Sequence, residues 1–207
     1  LCANSWRFVV VMFAIHKAGL IWVPINTGLA PDDVGYILDH SETRFIVIDD
    51  VFQANPAIAP WLDRCVVLPI GGHAATGGML AYADAVRDQS ADEPIVDVGD
   101  RDVAQIMYTS GTTGRPKGVM QSHLSVYFAV LGNVIEMEAR RDDIATAMMP
   151  LFHCAQHTLT STFLAVGAAS VIMRGFDPAV MIAAIAQHRI TWSFMLPLMY
   201  SAVLDHP

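Results

Sequence analysis

Val103 to Gly118 reads VAQIMYTSGTTGRPKG: six residues of strand character, then a bend carrying glycines, hydroxyls and a lysine. The first six, Val103 to Tyr108, are rich in β-formers and too short for a core helix. The eleven from Tyr108 to Gly118 hold three glycines, four Ser or Thr, one proline and one lysine. Gly111 and Gly114 allow close approach and backbone conformations closed to other residues, so amide N–H groups can converge on an anion. Thr109, Ser110, Thr112 and Thr113 add hydroxyl donors, and Lys117, held behind Arg115 and Pro116, adds a full positive charge. A solvated turn that merely caps itself has no need of that lysine. Hydrogen bonds to a charged phosphate are worth about 1.5–3 kcal/mol each, against about 1 for neutral pairs. The bend is therefore read as a polyphosphate grip. It is not a Walker A loop: Gly111 and Gly114 are three apart where five is required, and Gly118 follows Lys117 in place of Ser or Thr.

Outward from this bend, short runs rich in Val, Ile and Met alternate with helical patterns, the pattern of parallel strands covered by crossover helices. Candidate strands are Ile21–Pro24, Arg44–Ile48, Arg64–Leu68, Val103–Tyr108, Ile144–Met149, Ala169–Met173 and Thr191–Met195. Pro31 with Asp32 and Asp33, and Asp177 with Pro178, mark two helix starts, with Pro in the first turn and carboxylates near the positive end of the dipole. Ile182 and Ile185 fit an amphipathic helix that leaves through His188 and Arg189. Residues 71–78 (GGHAATGG) and 87–102 read as surface loops. The charged turn Arg140–Asp143 reads as a boundary between two α/β halves.

Composition narrows the function classes. Of 207 residues 54% are apolar and 15% charged, which excludes disorder and coiled coil, and the net charge of −8 argues against nucleic acid or an anionic membrane as partner. Cys2, Cys65 and Cys154 have no regular spacing and read as reduced thiols of an intracellular, cytoplasmic protein. Ile144 to Met173 has no charged residue, yet Pro150, His153, Gln156, His157 and six Ser or Thr interrupt it, so strand–helix–strand is favoured over a membrane span. Phe8–Ile15 is too short to span. A chain that starts at Leu1 within a helical pattern and stops at Pro207 reads as part of a longer one.

YTSGTTGRPKG resembles the phosphate-loop signature of the adenylate-forming superfamily, and the agreement in order and spacing covers eleven residues. Lys17–Leu38 (KAGLIWVPINTGLAPDDVGYIL), Met149–His153 (MPLFH) and Ile190–Leu204 (ITWSFMLPLMYSAVL) resemble that superfamily too, in particular its fatty acyl-CoA ligases. The resemblance spans the chain. It implies an α/β fold of two doubly wound, mainly parallel-sheet subdomains, incomplete here. Residues 1–123 would end in the phosphate loop, and 124–207 would form part of the second subdomain with acyl-pocket elements.

The activity implied is ATP-dependent ligation of a carboxylic acid to coenzyme A through an acyl-adenylate, with Mg²⁺ and release of pyrophosphate. On that resemblance Thr109, Ser110, Gly111, Thr112, Thr113, Gly114, Arg115, Pro116 and Lys117 hold ATP, and Lys117 and His153 are the catalytic candidates. Phe152, His153, Trp192 and Leu196 border the substrate, and Tyr127, Phe128, Phe194 and Met195 are tunnel candidates that as readily form core. His153 as a core histidine donating to a carbonyl is the competing reading. No metal ligand is assigned: His153 and His157 are four apart, but no carboxylate base lies between them. The partners implied are a small carboxylic acid, ATP and CoA, with peripheral membrane contact compatible. The family's GGAP-like and YGxTE stretches, ribose-binding aspartate, hinge and C-terminal lysine are expected beyond Pro207, so the fragment alone is expected to turn over little. The alternatives are a non-catalytic phosphate-binding domain on the same fold, or an aryl- or amino-acid-adenylating relative.

Overall fold

The computed structural model describes residues 1–71, 79–109 and 114–207, and the chain divides into two compact units. The first comprises Leu1–Ala3 and Arg7–His123; the second comprises Asn4–Trp6 and Leu124–Pro207.

Unit 1 contains most of helix α1 (Trp6–Lys17), then α2 (Pro31–His40), strand β1 (Phe45–Ile48), two 3₁₀ turns (Asp50–Phe52 and Ala59–Trp61), β2 (Val66–Pro69), the short α3 (Tyr82–Val86), β3 (Val103–Thr109) and β4 (Lys117–Ser122). Pro31 opens α2 with Asp32 and Asp33 in its first turn. Val34, Ile37 and Leu38 recur at helical spacing on one face and are 0–2% exposed. They pack with Ile46 and Ile48 of β1, Val67 of β2, and Ile25, Ile58 and Trp61. β1 and β2 pair in parallel from Phe45↔Val66 to Ile48↔Pro69. Leu1 lies beside β1, its N donating to Val47 O at 2.9 Å and its carbonyl accepting from Asp49 N at 3.0 Å.

The Ile21–Pro24 run contributes one parallel bridge, Trp22↔Gln105, to β3. β4 was not among the expected strands, and it pairs with β3 antiparallel from Val103↔Ser122 to Thr109↔Lys117. Its sequence KGVMQS has a glycine and leaves Val119 and Met120 exposed, so no buried hydrophobic run announced it. Residues 87–102 hold no helix or strand and are largely exposed. Val96 nonetheless covers Gly19, where a Cβ would come within 2.7 Å of Val96 Cγ1 and φ is +67°. The expected loop at 71–78 lies outside the described residues except for Gly71.

Unit 2 contains α4 (His123–Glu136, after its first residue), β5 (Ile144–Ala147), α5 (Cys154–Ala165), β6 (Ala169–Ile172), α6 (Pro178–His188) and α7 (Pro197–Leu204). β5 and β6 are parallel neighbours, α5 is the crossover between them, and Trp192 adds a parallel bridge to Ala145. The uncharged stretch 144–173 is thus strand, helix and strand. Among the described residues no helix is long and apolar enough to cross a membrane. Asp177 caps α6 by accepting from Val180 N at 2.9 Å, and Arg189 ends it in the left-handed conformation. The buried face of α6 is Met181 and Ala184, whereas Ile182 and Ile185 are over one-third exposed. The helix lies where the sequence places it, but its core face differs, because residues 179–186 (AVMIAAIA) are apolar all round and the pattern alone selects no stripe. The Arg140–Asp143 turn lies inside unit 2 and not at its border. It is a self-capped turn, with Arg140 N donating to Asp143 Oδ2 at 2.8 Å and Asp143 N to Arg140 O at 3.1 Å.

Candidate functional site

β3 and β4 are the antiparallel legs that lead into and out of the glycine- and hydroxyl-bearing stretch. Thr109 ends β3 directly opposite Lys117, the first residue of β4, so the antiparallel register sets a hydroxyl and an ammonium side by side at the mouth of the bend. Ser110, Gly111, Thr112 and Thr113 lie outside the described residues. Gly114 takes a φ of +147°, available to glycine alone, and Pro116 is buried while Thr109, Arg115 and Lys117 are exposed. Lys117 has no ion-pair partner among the described residues, so its charge is not neutralised there. That is the electrostatic condition for accepting a phosphate, and Thr109 beside it supplies a further donor.

Two residues that the sequence did not single out meet the ends of the bend. Tyr36 and His40, one turn apart on α2, stack at 5.2 Å between ring centroids with 28° between planes. Tyr108, the residue before Thr109, has its hydroxyl 2.8 Å from His40 Nδ1. The Arg115 guanidinium lies 4.9 Å above the Tyr36 ring. Burial, then the neighbouring Tyr36, push the Tyr108 phenol above its ordinary pKa, against a smaller pull from Ser41, so its O–H stays intact at neutral pH. The available signal was the spacing: Tyr36 and His40 fall outside the Val34/Ile37/Leu38 stripe. A single helix does not disclose which distant loop its polar face meets.

In unit 2, His153 is the exposed N-cap of α5, its Nδ1 accepting from Ala155 N at 3.3 Å. An accepting Nδ1 places the proton of the neutral ring on Nε2, leaving an Nε2–H donor. The core histidine is His157 instead, 2% exposed, with Nδ1 3.2 Å from the His153 carbonyl. Among the described residues no three His, Cys, Asp or Glu side chains gather as metal ligands. Phe152 is half-buried. Trp192 packs at 4.9 Å on Phe163, itself 1% exposed, so at least one face of the indole belongs to the core. Leu196 precedes α7 and is 46% exposed, and Tyr127 and Phe128 on α4 are more exposed still. The four substrate-bordering candidates therefore come from the start of α5, the bridge beside β5 and the start of α7. A cavity of unit 1, about 450 Å³ between the Trp22 segment and β1, is bordered largely by aliphatic side chains such as Val11, Ile15, Val23 and Ile46, and none of the predicted site residues borders it.

Against known proteins, the chain is 31% identical over 205 residues to a feruloyl-CoA synthase of Amycolatopsis, covering 99% of the chain and 39% of the relative. It is 32% identical over 209 residues to the long-chain-fatty-acid–CoA ligase FadD13 of Mycobacterium tuberculosis, covering 100% and 40%. The chain thus spans about two-fifths of these curated relatives. Among solved structures, the N-terminal domain of FACL13 from Mycobacterium tuberculosis superposes with a TM-score of 0.85 at 29% identity, over 100% of this chain and 51% of that one. A long-chain-fatty-acid-CoA ligase (FadD1) from Archaeoglobus fulgidus superposes with a TM-score of 0.87 at 27% identity, over 99% and 40%. These neighbours share the mixed α/β architecture built above. The family profile described as AMP-binding enzyme matches residues 1–207 without interruption, and with the bend, its opposed lysine and the fold in agreement, the chain belongs to the AMP-binding enzyme family.

Proposed function

We propose that the complete protein carrying this chain is an ATP-dependent carboxylate–CoA ligase, and that this chain contributes its grip on the β- and γ-phosphates. The observation that supports the reading is Lys117, an exposed cation without an ion-pair partner among the described residues, held by strand register against Thr109 at the mouth of a glycine-rich bend. In the first half-reaction a carboxylate oxygen attacks the α-phosphorus, the α–β bridging bond breaks, and pyrophosphate leaves with the electron pair. In the second, the CoA thiol attacks the acyl carbon and AMP departs. The difficulty of the first step is charge on the leaving group. Lys117 and the hydroxyls of Thr109, Ser110, Thr112 and Thr113 stabilise it and align the α-phosphorus. Mg²⁺, when bound with ATP, shares that neutralisation. His153, with Nε2–H as a donor at the start of α5, is assigned to the acyl carboxylate.

The acid we favour is a medium- or long-chain fatty acid, because residues 144–173 bring no charge to the region of His153. The relatives' names include both a feruloyl and a long-chain fatty acyl substrate, so an aromatic acid belongs in the same test. ATP–pyrophosphate exchange by the complete protein, with a panel of fatty and aromatic acids, is expected to depend on the acid and to be fastest with a fatty one. Lys117→Ala and Thr113→Val are expected to slow exchange, by about tenfold or more for the lysine. Unchanged exchange in both variants removes the assignment of the bend.

A further inference from the structure

We propose that Tyr36, His40 and Tyr108 are positioning residues that fasten the two ends of the phosphate-gripping bend to one face of α2. The proposal rests on the phosphate reading of the bend and adds to it the part of the fold that holds the bend in place.

The chain enters the bend through Tyr108 and leaves it through Arg115, and each of these is held by α2. At the entry, the Tyr108 hydroxyl and His40 Nδ1 are 2.8 Å apart, with the two rings edge to face at 5.9 Å. A phenol O–H can donate to a neutral Nδ1 or accept from a protonated one, so this link survives in either state of His40. At the exit, the Arg115 guanidinium rests over the Tyr36 ring at 4.9 Å, an exposed cation–π contact. Tyr36 and His40 stack on each other, so the two attachments form one continuous unit. Its base is rigid: the opposite face of α2 carries Val34, Ile37 and Leu38, all buried, and Tyr36 and Tyr108 pack against the same core.

A separate observation concerns Gly118. It pairs directly with Tyr108 across the hairpin, and a Cβ there would lie 3.1 Å from Tyr108 Cζ and 2.8 Å from Ile106 Cγ2. A side chain at 118 would crowd Ile106 Cγ2 and the edge of the Tyr108 ring. The glycine after Lys117 is therefore a seat for the entry tyrosine. Fastening both ends in advance leaves less backbone freedom to lose when triphosphate binds, so the contribution falls on ATP affinity and not on the acid.

The test is ATP–pyrophosphate exchange by the complete protein, together with amide hydrogen exchange over residues 108–118. Tyr36→Leu, His40→Ala and Tyr108→Phe are each expected to raise KM for MgATP about fivefold, the effect of one modest contact, while KM for the acid stays within about twofold. Amides of 108–118 are expected to exchange faster in all three. Tyr36→Phe, which keeps the π face, and His40→Asn, whose side-chain amide can occupy the place of Nδ1, are expected to restore both readouts. Tyr108→Phe removes a single oxygen atom and serves if Tyr36→Leu does not accumulate. Unchanged KM for MgATP with unchanged amide exchange overturns the proposal. So does a common shift of both KM values, kcat and Tm in which Phe at position 36 is no better than Leu, since that is a merely structural role. Lys117→Ala separates the two readings. If it leaves ATP dependence unchanged, the phosphate assignment fails, and amide exchange alone still decides whether α2 fastens the bend.

Discussion

Asn4 offers the sharpest test of how unit 2 is held together. Its side chain is 7% exposed and uses its whole planar amide: Nδ2 donates to Met149 O at 2.9 Å and to Met173 O at 3.1 Å, and Oδ1 accepts from Leu151 N at 2.9 Å. Met149 and Met173 lie just beyond the ends of the paired strands β5 and β6, so one side chain ties both strand exits and the turn into α5. Asn4→Ala removes three hydrogen bonds of about 1 kcal/mol each and leaves buried backbone groups without them, a loss of about 3 kcal/mol or about a hundredfold in the folding equilibrium. Asn4→Asp keeps the shape but turns an oxygen toward two carbonyl oxygens, and is expected to cost about 4–5 kcal/mol at neutral pH. In that variant the charged form is disfavoured in the fold, so the carboxyl's folded pKa lies above its unfolded value of about 3.9. The extra loss is therefore present at neutral pH and shrinks as pH falls through the folded pKa, when protonation returns one donor. Urea unfolding of each variant at pH 7 and near pH 4, referred to the unsubstituted protein at the same pH, measures this. An Asn4→Asp variant at least as stable as Asn4→Ala at neutral pH refutes the reasoning.

Two further outcomes follow from the geometry. His16 is held below its ordinary pKa of 6.5 first by burial and then by His123, against a backbone hydrogen bond at Ala104. The unfolded chain therefore binds the proton more readily, so stability is expected to fall as pH drops below 6.5 and to level off under the depressed value; His16→Phe should flatten that slope in pH-dependent unfolding, and an unaltered slope rules His16 out as its source. Gly118→Ala is expected to cost about 1–3 kcal/mol in unfolding experiments, because a methyl enters space held by Ile106 and Tyr108, and to raise KM for MgATP as the Tyr108 variants do. A neutral Gly118→Ala disproves the seat.

What could be read from the sequence was what depends on residues close together along the chain. Pro31 with Asp32 and Asp33, and Asp177 with Pro178, start helices because the partners of a first turn lie within three residues. The short apolar runs around β1, β5 and β6 were legible because strands packed beneath helices carry few charged residues. β4 was missed because its exposed positions carry no such constraint, and with it went the antiparallel hairpin. Of the two readings the sequence left for His153, the core one does not apply, since His153 is the exposed N-cap of α5, a placement decided by where that helix begins. The contact between His40 and Tyr108 spans 68 residues, and nothing in either segment names the other.

The proposed phosphate grip draws its direction from the hairpin. Glycines and hydroxyls give donors but no fixed direction, and a lysine on a free loop spends its charge on solvent. The pairing Tyr108↔Gly118 and Thr109↔Lys117 fixes both legs, and because successive side chains alternate faces, a slip of one residue would carry Lys117 to the side opposite Thr109. Register is in turn favoured by the close fit of the Ile106 and Tyr108 side chains over Gly118. The residue beside the tyrosine ring and the residue that carries the charge are neighbours in sequence, so a substitution at 118 that shifts the strand to clear the ring is expected to move the lysine as well. Packing at 118 and electrostatics at 117 are for that reason a single constraint, and Gly118→Ala should act on ATP before it acts on the acid.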